Sequence, residues 1–217
     1  MIRAATGWIV ACVMVLANLI RPLEPVMFEA LFVSTGIVTL AEIGDKTQLL
    51  AFILAARFLK PVPIIWGILV ATVLNHALAA AVGNHVANYF SETTLLWLLA
   101  ASFLAVAAWT LIPDKMDDGG SLLSQYGPFV ASLVAFFVAE MGDKTQVATV
   151  MLAAQYPWYL AVVAGTTLGM LLANVPVVLV SNFAAARLPL TLIRSLAALC
   201  FLLLALYAAI RALGWLA

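Results

Sequence analysis

The string AEIGDKTQ spans residues 41 to 48 and returns as AEMGDKTQ at residues 139 to 146. Both copies lie inside long apolar stretches. Each sets two carboxylates and one ammonium where the neighbouring residues are those of a membrane span. A charge at the bilayer centre costs at least ~2.5–3.5 kcal/mol. A chain that meets this cost twice, in one pattern, is built from two like halves and uses those charges.

Composition fixes the solvent. Of the 217 residues, 66% are hydrophobic and 9% charged, against roughly 25% charged in soluble domains. The apolar runs are long and continuous, so the fold class is all-α, an integral membrane protein crossing several times. A transmembrane barrel needs short alternating segments instead. Net charge is zero, which gives no footing for nucleic acid. Cys12 and Cys200 lie far apart in apolar runs with no metal or redox spacing. No Ser/His or metal-binding His arrangement supports an enzyme. The expected partners are the lipid bilayer and a small ion, with no resident cofactor.

Residues 1–25 hold a short apolar segment, Gly7 to Ile20, read as a leader or an extra helix. Residues 26–112 form a first repeat. Its opening run, Val26 to Ala56, is longer than one span needs and carries the first motif, so it predicts a tilted or broken helix. Spans follow at Ile64 to Ala87 and Leu95 to Ile112. Residues 113–126, PDKMDDGGSLLSQY, form a polar linker. Residues 127–217 repeat the plan: Gly127 to Ala154 with the second motif, then Trp158 to Phe183 and Leu190 to Ile210.

A shift of about 98 positions also aligns Ser34 with Ser132 and Gly67 with Gly165, and brings Asn75 within one residue of Asn174. Three spans per half make six core spans. An odd number inserts the halves in opposite directions, an inverted repeat with its site near the midplane. Arg57, Lys60, Lys115 and Arg187 then share one side, which the positive-inside rule makes cytoplasmic. Trp8, Trp66, Trp97, Trp158 and Trp215 fall near span ends as interfacial anchors.

On a continuous helix Glu42 and Asp45 share a face, as do Glu140 and Asp143. Lys46 and Lys144 follow their Glu by four residues, the spacing of an intrahelical pair. Thr47, Gln48, Thr145 and Gln146 add neutral oxygens as candidate metal ligands. If the halves meet about a pseudo-two-fold axis, the four carboxylates converge. Two lysines leave that cluster two negative charges short of neutral, which one divalent cation cancels. Oxygen ligands suit hard cations such as Mn²⁺, Ca²⁺ and Mg²⁺. Crowded carboxylates also hold protons more readily, so protons can take the cation's place. The lysines either balance charge or take part in coupling. Ser34, Ser132, Asn75 and Asn174 either line the path or pack helices. His76, opposite Val175 in the other half, reads as a local hydrogen-bonding residue.

Glu42-Ile43-Gly44-Asp45-Lys46-Thr47 and Glu140-Met141-Gly142-Asp143-Lys144-Thr145, placed in six spans, resemble a known family. It is the calcium/cation antiporter family of the second type, with Golgi members and bacterial manganese exporters. The resemblance covers the chain from about Met27 onward, whereas residues 1–25 depart from the compact bacterial form. It implies export of Mn²⁺, with Ca²⁺ as a second substrate, in exchange for protons, and makes the motif acids the ligands. The residues alone leave two other readings open, an exporter of small organic cations such as basic amino acids and a divalent cation channel.

Overall fold

A computed structural model describes residues 24–112, 126–180 and 190–215. The leader call on residues 1–25, apart from Glu24 and Pro25, which open the first helix, falls outside the described residues, as do nearly all of the linker, Arg187, Cys12 and Trp8.

Among the described residues the chain is all helix. The first half contains α1 (Glu24–Glu42), α2 (Lys46–Phe58), α3 (Pro61–Ala87) and α4 (Glu92–Thr110). The second contains α5 (Gly127–Glu140), α6 (Lys144–Gln155), α7 (Tyr159–Val180) and α8 (Leu190–Ala212). Each motif therefore breaks its long run into a helix pair, and α1 and α2 meet at a bend of 73°.

Among the described residues, the six apolar runs of the sequence hold eight helices. Of these, four are long and apolar enough by themselves to cross a membrane, and α1–α2 together makes a fifth as a broken span, among the described residues. α5 has 14 residues, about 21 Å of helix, short of the ~30 Å hydrocarbon core. The motif itself shortens it by ending it at Glu140.

The motif residues explain the break. Gly44 (φ 81°) and Gly142 (φ 77°) adopt the left-handed conformation that closes a helix and suits glycine. Asp45 and Asp143 follow in extended conformation as the N-caps of α2 and α6. Neither aspartate caps with its own side chain. Instead Gln48 Oε1 accepts the Gly44 N–H at 2.8 Å, and Gln146 Oε1 accepts the Gly142 N–H at 2.7 Å. The glutamine three residues into each helix reaches back in the manner of a capping box, so the aspartate side chains do not serve as the caps.

Packing crosses between the halves. α1 lies on α7, and in matching fashion α5 lies on α3. Small residues allow the approach: a Cβ on Gly67 would sit 2.7 Å from both Phe129 O and Ser132 Cβ. One on Gly165 would sit 2.9 Å from Ser34 Cβ. The paired serines predicted from the repeat are thus buried against the paired glycines, in the packing role. Further along, Gly83 faces Val150, so α3 runs parallel to α5–α6. At one end of the molecule Tyr156, after α6, donates to Glu29 near the start of α1 at 3.1 Å. Burial and the neighbouring Glu29 carboxylate push ionisation of this phenol upward. α4 and α8 pack on each other at the periphery. Trp66, Trp97, Trp158 and Trp215 are exposed, in keeping with interfacial placement.

Candidate functional site

The two breaks meet. Lys46, the first residue of α2, reaches Asp143 Oδ1 of the other half at 3.3 Å. Lys144, the first residue of α6, pairs with Asp45 of the first half. These cross-half bridges replace the expected intrahelical Glu–Lys pairs. The reason is local: a four-residue spacing brings side chains together only on continuous helix, and three residues of break separate Glu42 from Lys46. A lysine at a helix N-terminus also faces the positive end of the dipole, so an aspartate from outside the helix stabilises it.

The glutamates are oriented from within their own halves. Thr47 Oγ1 donates to Glu42 Oε2 at 2.5 Å, and Thr145 Oγ1 to Glu140 Oε2 at 2.8 Å. Glu42 Oε1, Glu140 Oε1 and Asp143 Oδ2 are buried without a hydrogen-bond partner among the described residues. All four acids are at most 4% exposed. One oxygen each from Glu42, Asp45 and Asp143 lie within 4.8 Å of one another, a spacing that one small cation can bridge. Glu140 stands outside that closest group.

The structure thus gathers the four acids and two lysines singled out in the sequence. The threonines and glutamines are also at the site, engaged with the glutamates and the glycine amides. Gln48 is held further by donating from Nε2 to Ala173 O at 2.9 Å. Asn75 donates to Phe137 O at 2.9 Å, while Met141 N–H turns to Val138 O. Asn75 thereby satisfies a carbonyl that continuous helix would have paired with residue 141. Asn174 bonds back to its own helix at Met170 O. His76 is buried, and its ring nitrogens have no hydrogen-bond partner among the described residues.

Sequence reasoning missed the capping role of the glutamines and the crossing of the lysines. The first was legible. Glycine followed by aspartate is a helix stop and a helix start, and Asp-x-x-Gln matches the capping-box spacing. The second depended on how the halves pack, which no local pattern carries.

Buried acids supplied by two like halves, at helix breaks inside a membrane protein, are an arrangement that recurs in the class of polytopic transporters. The chain matches the family described as Divalent cation/proton antiporter GDT1 twice, over residues 30–118 and 128–215. It belongs to that family, and the double match falls one copy to each half. A protein of Vibrio cholerae described as "Putative manganese exporter" is 58% identical over 186 residues, covering 85% of this chain and 92% of that protein. GDT1-like protein 3 of rice (Oryza sativa subsp. indica) is 29% identical, covering 67% of this chain and 61% of its own length. A GDT1-like protein of Synechocystis is 28% identical, with 75% and 87% covered. No solved structure matches the chain.

Proposed function

We propose that this protein exports Mn²⁺ from the cytoplasm across a bacterial inner membrane in exchange for protons. Glu42, Asp45, Glu140 and Asp143 hold the cation in turn with those protons. The observation that carries this reading is the convergence of buried carboxylates from both halves to within 4.8 Å, beside two lysines that leave two negative charges uncompensated. One divalent cation balances that deficit, and so do two protons. Exchange of one for two keeps the site neutral at each stage, which avoids the cost of a bare buried charge.

Oxygen ligands fit Mn²⁺, and Ca²⁺ as a second substrate. The short distances among the three closest oxygens favour a metal ion over an organic cation, which needs a wider cavity. The threonines and glutamines serve here by holding the glutamates and the breaks in place. The two halves, 26–112 and 127–217, act as an inverted repeat. In support, the start of α1 meets the end of α6 while both breaks meet at the centre. The linker between the halves then lies on the cytoplasmic side.

The test is flux in proteoliposomes. Mn²⁺ entry should be driven by an acidic lumen and should alkalinise that lumen in step, as protons leave. Lysine flux without metal flux would overturn the substrate assignment. Metal flux that ignores the pH gradient, and moves no protons, would overturn exchange in favour of a channel.

A further inference from the structure

Two of the three most closely grouped ligand oxygens belong to residues already held by a lysine. Asp143 is held by Lys46 and Asp45 by Lys144. Each lysine comes from the half opposite its aspartate. A cation bound among Glu42, Asp45 and Asp143 draws on carboxylates whose charge the ammonium groups already neutralise, and it lies close enough to those groups to repel them. We propose that Lys46 and Lys144 are tethered competitors of the transported ion: each must release its aspartate for the ion to bind, and each returns to drive the ion off.

The two tethers differ in freedom. The Lys144 side chain is 3% exposed, so water helps it leave Asp45 less than it helps Lys46 leave Asp143. The Lys46 side chain is 26% exposed and stands 3.3 Å from Asp143. Lys46 therefore lets go first, and Asp143 is the first aspartate that the ion takes. The flexible four-carbon stem of lysine suits such a swing, where the planar fork of arginine would grip both carboxylate oxygens. Because each bridge joins the two halves, an arriving ion also loosens what ties α2 to α6. The lysines thus act as positioning residues for the aspartates and couple occupancy to movement of the halves.

The proposal rests on the cation-site reading above, and the experiment separates the two. Mn²⁺ binding to purified protein is measured by equilibrium dialysis at one fixed pH, and maximal exchange by proteoliposome flux. Lys46→Gln removes the competitor, so Mn²⁺ should bind at least tenfold more tightly while maximal exchange falls, because the bound ion is no longer displaced. Lys46→Arg should shift binding the other way, to weaker affinity. A lysine that only props up the fold would weaken binding in both variants, and unchanged or weaker binding in Lys46→Gln overturns the proposal. Wild-type protein that binds no Mn²⁺ would instead overturn the cation-site reading.

If Lys46→Gln does not remain monodisperse, labelling of wild-type Lys46 by an amine reagent decides. Mn²⁺ should accelerate the labelling by freeing the ammonium group from Asp143. Labelling that is unchanged or slowed by Mn²⁺ overturns the proposal.

Discussion

At the first break Gly44 is buried, yet Lys46 just beyond it keeps about a quarter of its side chain exposed. At the second break Met141 and Gly142 are exposed, while Lys144 is sealed. The motifs differ at one residue, Ile43 against Met141, so the inequality does not come from the motifs. It comes from their surroundings. α4 packs on α6, whereas α8 makes no comparable contact with α2. Two like halves placed in unlike surroundings give one site with one accessible flank. A strictly symmetric arrangement would open the site to both sides of the membrane or to neither.

The largest expected effect tests whether the halves contribute equally to the ion. Glu42→Gln and Glu140→Gln should each lower proteoliposome exchange roughly a hundredfold or more, since even an outer-shell partner is worth ~10–100-fold. Activity retained in Glu140→Gln alone would show that the closest three oxygens suffice and that the second glutamate is dispensable.

The sealed and open bridges should separate next, in stability. Lys144→Gln strands Asp45 in a buried place and should cost about 3–5 kcal/mol, read as a drop in the detergent unfolding midpoint. Lys46→Gln, with a partly exposed lysine, should cost about 1 kcal/mol or less. Equal losses would mean that solvent reaches both bridges alike.

The glycines set a finer contrast. Gly142→Ala forces a side chain into positive φ at an open position, for about 1–2 kcal/mol. Gly44→Ala meets the same backbone strain at a buried position and should lose more. The same unfolding measurement ranks them, and the reverse order would show that the exposure of the second break is not present in solution.

The smallest effect concerns the end of the molecule where Tyr156 meets Glu29. Tyr156→Phe removes one hydrogen bond and should cost about 0.5–1.5 kcal/mol, with Mn²⁺ affinity unchanged in dialysis. Altered affinity would mean that this end contact reaches the ion site.

Much of this was legible in the sequence, for identifiable reasons. The apolar runs located every described helix, because lipid demands about 20 apolar residues per span and little else satisfies that demand. The duplicated motif located the acids, because charges inside such runs are rare. The destination of each lysine was not legible. Lys46 lies four residues from Glu42 in sequence, and helical spacing pointed there. The Gly44–Asp45 stop and start cancels that geometry and turns Lys46 toward a residue about a hundred positions away. Nor was the difference in exposure legible, since it depends on which outer helix covers which break.

The exchange of packing partners between the halves also bears on how the protein is made. When synthesis has reached residue 112, α1 has been produced but α7, on which it lies, has not. Glu42, Asp45 and Lys46 exist at that moment without Asp143 or Lys144. The nascent first half therefore carries Asp45 and Lys46 before the residues that pair with them have been made. For this chain, the ion pairs that join the two halves can form only once the second motif has been made, however much of the first half has already folded.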